Sequence, residues 1–189
     1  MPLKTYSHKL FPAISFVFYS FLTFFVAMTF PLRAILDTNT YEALYRKDLW
    51  RVTSLIESHK LIVYGCKVIR NELRDIPKSL KVDGRNYRNL LLSVYDSVAK
   101  RTLPVENLSE TLAEEYWLAY EGGVSKRKMI SDFLIVAIAT LHNVDVVVSE
   151  DERTLKSGPA RRAYEQVNQK KKLKTPGLIT LENLLKLSV

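Results

Sequence analysis

Short apolar runs separated by longer helical patterns are the feature that most constrains the fold of this chain. The runs lie at residues 33–37, 60–64, 144–149 and 178–180, and each reads as a strand. The best of them are continuous rather than alternating, as expected of strands covered on both faces. Between them, apolar residues recur at helical spacing over 40–58, 66–76, 86–100, 109–120, 129–141 and 159–172, with a last helix at 181–187. Gly65 is expected to end the second strand, and Pro77 to close the helix that follows it. Strands alternating with helices predict an α/β fold around a mostly parallel sheet.

The first 32 residues follow a different rule. Seven of the eight phenylalanines lie between Phe11 and Phe30, and no charge occurs from Leu10 to Leu32. About 20 helical residues match a bilayer core of roughly 30 Å. The leader therefore reads either as a transmembrane anchor or as translation from a start upstream of Met28. If it is an anchor, Arg33, Arg46, Lys47 and Arg51 outnumber Lys4 and Lys9 and place the domain on the cytoplasmic face. Without it the expected location is the cytoplasm. The functional domain is expected at 33–189.

Composition narrows the chemistry. With 47% hydrophobic and 25% charged residues, the chain has globular proportions. A lone Cys66 excludes an intramolecular disulfide framework and a Cys-rich zinc site, and His8, His59 and His142 are too scattered for a His cage. The net charge is +8, and only Lys4 and Lys9 of the basic residues precede Arg33. The basicity thus belongs to the domain and suits phosphate-rich partners.

Four acids break the apolar pattern. Asp37 ends the first strand, where open α/β sheets bind ligands, although an Asp there can also cap the next helix. Asp151 follows the third strand within Ser149-Glu150-Asp151, where a turn-forming role is equally open. Glu72 falls on the apolar stripe made by Val68, Ile69 and Ile76, so it needs a partner, either an ion pair with Arg70, Arg74 or Lys78 or a ligand. Asp132 is the only charge between Ile130 and Leu141. It is expected in the first turn of its helix, where the helix dipole supplies about 0.3–1 kcal/mol, little against the cost of burial. Two like charges about 4 Å apart repel by roughly 4 kcal/mol at an effective dielectric near 20, so a cluster of acids needs compensation. Hard oxygen donors without His or Cys select Mg²⁺ or Mn²⁺.

Ile35-Leu36-Asp37-Thr38-Asn39, Glu72, Asp132 and Val147-Val148-Ser149-Glu150-Asp151, in this order over about 33–180, resemble the PIN-domain family of metal-dependent ribonucleases. The resemblance implies a PIN-like three-layer α/β/α sandwich, often dimeric. It implies that Asp37, Glu72, Asp132 and Asp151 are catalytic and metal-binding, with Asn39 and Ser149 as polar support. The cofactor would be Mg²⁺ or Mn²⁺, the substrate RNA, and the reaction endonucleolytic hydrolysis of its phosphodiesters. A role as the toxin of a toxin–antitoxin pair would add an antitoxin protein as partner. The leader and the long 78–125 region depart from compact toxin members.

Lys126-Arg127-Lys128, just before Asp132, is the candidate RNA-binding cluster. Tyr87, Tyr116, Trp117 and Tyr120 have helical spacing, which fits core packing better than base stacking. Two other readings stay open. One is a non-catalytic RNA-binding or interaction module on the same fold. The other is a haloacid-dehalogenase-like phosphatase, which wants a second acid two positions after Asp37, where Asn39 stands.

Overall fold

Strand β1 (Leu32–Leu36) runs through the middle of the protein, and Ala34, Ile35 and Leu36 are fully buried there. A computed structural model gives the structure and describes residues 31–187. The expected leader lies outside the described residues, apart from Pro31 and Leu32. Among the described residues no helix is long and apolar enough to cross a membrane.

The remaining elements follow in chain order: α1 (Thr38–Ala43), a π-helical turn (Leu44–Asp48), α2 (Leu49–Glu57), β2 (Leu61–Cys66) and α3 (Lys67–Asp75). Next come a hairpin of β3 (Lys81–Val82) and β4 (Arg85–Asn86), then α4 (Tyr87–Val98), β5 (Arg101–Leu103) and α5 (Asn107–Ala119). The chain ends with α6 (Lys126–Leu141), β6 (Val146–Val148), α7 (Gly158–Lys171), β7 (Gly177–Ile179) and α8 (Leu181–Leu187).

Five strands form one parallel sheet in the order β5-β2-β1-β6-β7. Helices α1, α2, α3 and α4 pack among themselves, and α5 packs on α6 and α7. This is the three-layer α/β/α sandwich. Register brings Leu36 beside Val148, so the residues after both central strands, Asp37 and Ser149, emerge together. The core beneath α5–α7 is aromatic: Tyr116, Phe133 and Tyr164 meet edge to face with centroids 5.0–6.3 Å apart. The expectation that Tyr116 belongs to the core holds, and its hydroxyl donates to buried Asn168 Oδ1 at 2.7 Å.

Several boundaries differ from the sequence reading. Gly65 does not end β2, which continues through Cys66. A Cβ at Gly65 would sit 2.0 Å from Tyr95 Oη, so glycine there makes room for the tyrosine across the strand. Edge strand β5 and the β3–β4 hairpin are too short to carry a periodic signal. The hairpin turns at Asp83 (φ 50°) and Gly84 (φ 74°), the left-handed pair that an Asp-Gly hairpin turn requires. Helix α6 begins at Lys126, which puts Asp132 in its second turn rather than its first. The helix dipole therefore does less for Asp132 than the sequence suggested.

The N-terminal end of the sheet is held by charge. Asp145 accepts from Arg33 Nε and Nη2 at 3.1 Å each, from the Arg33 backbone at 3.1 Å and from Lys174 at 3.2 Å. The Arg33 side chain, opposed by partial burial, holds the carboxyl down to about 2. Its folded pKa lies below the unfolded value of 3.8, so the stabilisation is complete above about pH 4 and fades as pH falls toward 2. Both partners are partly exposed, which reduces the effect to about 1–2 kcal/mol. Asp145→Asn is expected to lose this amount at pH 7 and only a small fraction of it at pH 2, as read by urea melts.

Candidate functional site: an acidic cavity

The carboxyl ends of β1 and β6 open into a cavity of about 280 Å³. Asp37, Glu72, Asp132 and Asp151 all line it, together with Thr38, Asn39 and Glu42. The four acids come from four elements: the β1 exit, α3, α6 and the loop after β6.

Asp37 is 5% exposed, and both of its oxygens are engaged. Oδ1 accepts from the Thr38 amide at 2.7 Å, so it does cap α1, and Oδ2 accepts from Ser149 Oγ at 2.8 Å. Burial raises its pKa, the Ser149 and Thr38 bonds oppose that, and the Asp151 charge adds to it. Ser149 Oγ also accepts from Asn39 Nδ2 at 3.3 Å and the Asp151 amide at 3.0 Å. Asn39 Oδ1 accepts from the Glu150 amide at 3.0 Å. Asn39 and Ser149 thus tie the loop after β6 to the start of α1.

Glu72 is half-buried, and its partner is not one of the basic residues considered from sequence. Arg70 pairs instead with Asp96. Thr38 Oγ1 donates to Glu72 Oε2 at 2.5 Å, while burial, with repulsion from Asp37, raises the carboxyl.

Asp151 fulfils the turn-forming reading as well as lining the cavity. Oδ1 accepts from the amides of Arg153 at 2.7 Å and Thr154 at 2.9 Å, and Oδ2 accepts from Thr154 Oγ1 at 2.7 Å. Burial works to raise it, but these donors prevail and hold it below the ordinary carboxylate value.

Asp132 is the least satisfied of the four. Its Oδ2 is buried without a hydrogen-bond partner. Burial pushes its pKa up to about 7, against a Thr154 bond and with repulsion from Asp37, Glu72 and Asp151. The Thr154 hydroxyl has one proton, which is directed to Asp151, so the two acids compete for it.

The residues present fit a hard divalent cation in donor chemistry: all are carboxylate oxygens, and one is buried and orphaned. Among the described residues, however, no three His, Cys, Asp or Glu side chains are already arranged to hold an ion. Locally, Ser149, Thr38 and Thr154 direct the carboxylates. Cys66 is no rival nucleophile, because burial pushes its thiol up to about 11.

Of the Lys126-Arg127-Lys128 cluster expected to bind RNA, no residue lines the cavity, and Lys126 Nζ pairs with Glu114 Oε2 on α5 at 2.5 Å. The three form the exposed first turn of α6, about two turns before Phe133 enters the core. Ser125, a good N-cap residue type, was the signal that the helix starts there. The sequence reading also passed over Thr38, Thr154 and Glu42. Thr154, three residues after Asp151, has the spacing of a side-chain-stabilised turn, and that could have revealed it.

Acids gathered where two central parallel strands end define a PIN-like sandwich with an acidic cavity, as the resemblance implied. The fold is shared with the structure of VapBC2 from Rickettsia felis bound to a DNA fragment from their promoter, with a TM-score of 0.51 at 13% identity. The match covers 78% of this chain and 97% of that one. FitAB bound to an IR36 DNA fragment (TM-score 0.47, 20% identity, 78% and 94% covered) and PAE2754 from Pyrobaculum aerophilum (0.47, 18%, 85% and 93%) are more distant. No protein-family model and no curated protein matches the sequence.

Proposed function

We propose that this protein is a Mg²⁺- or Mn²⁺-dependent endoribonuclease that hydrolyses RNA phosphodiesters at the acidic cavity. The observation that carries the reading is the buried, unpartnered Oδ2 of Asp132 facing three other acids across one cavity. Asp37, Glu72, Asp132 and Asp151 would hold the cation. A divalent ion held by them would neutralise the acids, polarise the phosphodiester and make water a stronger nucleophile. The chain's own contribution is orientation. The Thr38 amide and Ser149 fix Asp37, the Thr38 hydroxyl fixes Glu72, and Thr154 with two backbone amides fixes Asp151. Asn39 holds the β6 loop against α1 so that acids from distant parts of the chain keep their spacing.

The reading extends to the toxin of a toxin–antitoxin pair, with an antitoxin protein and a homodimer as partners. Its support is the fold shared with VapBC2, which was solved on promoter DNA. The full chain with single-stranded RNA is expected to show cleavage in Mg²⁺ and none in excess EDTA, read by denaturing gels. Equal cleavage in both conditions overturns the metal-dependent reading.

A second reading is a non-catalytic RNA-binding module on this fold, for which the relevant observation is that, among the described residues, no three acids are already arranged to hold an ion. Metal-independent, salt-sensitive RNA binding without cleavage would establish it.

A further inference from the structure

The acidic cavity has a neighbour. A second cavity of about 350 Å³ is lined by Tyr45, Arg46, Val82, Asp83 and Tyr87. Its size falls within the roughly 300–1,000 Å³ of small-ligand sites. Tyr87 is a wall of both cavities. Glu42 lines the first and Arg46 the second, and the two are joined by an ion pair at 2.7 Å. The two cavities are therefore neighbours that share a wall.

We propose that this second cavity is a nucleotide subsite, seating one unpaired nucleotide of the RNA strand beside the position of cleavage. Which macromolecule enters rests on the nuclease reading; the site itself rests on four observations. Two tyrosines and a guanidinium in one small cavity supply flat apolar surface and a phosphate-binding cation, the combination that suits single-stranded nucleic acid. Tyr87 is 8% exposed and forms the wall shared by the two cavities, its hydroxyl buried beside Glu42 and Arg46, so its ring is held in place. Tyr45 and Arg46 both lie in the π-helical turn Leu44–Asp48, a distortion that tends to occur at functional sites. The charges are also sorted. Arg46 adjoins the acidic cavity through Glu42, while Asp83 stands at the tip of the β3–β4 hairpin and repels phosphate. The phosphate is thus directed to the Arg46 side and the base toward the hairpin.

The test is fluorescence anisotropy of a 5′-labelled, non-pairing ten-nucleotide RNA titrated with the full chain in EDTA at low salt, where no cleavage is expected. Arg46→Ala is expected to weaken binding about tenfold and Tyr45→Leu, which removes an aromatic stacking face, about threefold. Arg101→Ala removes the same charge from the exposed edge strand β5 and should change binding twofold or less. The same RNA annealed to its complement should bind less tightly than the single strand, because its bases are stacked and paired. Equal losses for Arg46→Ala and Arg101→Ala, or a duplex bound as tightly as the single strand, overturn the subsite. Absence of cleavage in Mg²⁺ with Arg46-dependent binding intact overturns the nuclease reading and leaves the subsite standing.

Discussion

Asp37→Asn is expected to lower RNA cleavage by about 10³-fold while leaving the protein folded. That loss corresponds to about 4 kcal/mol of transition-state stabilisation, in the range seen when one member of a concerted site is removed. The substitution separates chemistry from architecture because the two side chains have the same shape. The Asn carbonyl still accepts from the Thr38 amide, preserving the helix cap, and its amide can take the place of Asn39 as one of the two donors to Ser149 Oγ. What disappears is the charge, and the charge is costly to the fold, since Asp37 is 5% exposed and its carboxyl is raised by burial. Thermal stability should therefore be unchanged or higher. Cleavage at the wild-type rate by the pure variant would remove Asp37 from the mechanism.

Asp132→Asn should show the same opposition between stability and function more strongly. At pH 8 without divalent ions, the variant is expected to be more stable than the wild type by roughly 2 kcal/mol, or about 4–8 °C for a chain of this size. The buried Oδ2 has no donor, and three acids face it. Because the folded carboxyl titrates near 7 and the unfolded one near 3.8, its cost is absent below about pH 4 and grows as pH rises through 7. The advantage of the variant should shrink accordingly between pH 8 and pH 5. Saturating Mg²⁺ should then reverse the order. A ligand at 100 times its Kd stabilises by about 2.7 kcal/mol, and the wild type should gain far more of this than the variant. Equal Mg²⁺ shifts in differential scanning fluorimetry would remove Asp132 from the metal site.

The central part of this design was legible because burial leaves a strong mark on sequence. The runs at β1 and β6 contain little that can face water, and Asp37, Glu72 and Asp132 stand out against apolar surroundings that penalise charge. Short edge elements leave no such mark. Strand β5 has three residues, two of them exposed, so neither periodicity nor hydrophobicity announces it. The start of α6 is hidden for a related reason: Lys126-Arg127-Lys128 interrupts the apolar pattern, so the sequence predicts a helix from residue 129 with Asp132 in its first turn, whereas it begins at Lys126. Gly65 showed the opposite failure: a residue that usually breaks strands is kept inside one because Tyr95 needs its empty side.

The pairing of β1 with β6 joins residues about 112 positions apart, whereas β1 and β2 are separated by only about 29. Closing the longer loop costs about 1 kcal/mol more in chain entropy and delays contact. Asp37 and Asp151 therefore meet only after almost the whole chain has been synthesised and β6 has docked. A ribosome-bound fragment ending before β6 carries Asp37, Glu72 and even Asp132 but no assembled acid cluster. The order of strands in the sheet thus makes the acid cluster one of the last features of the domain to form.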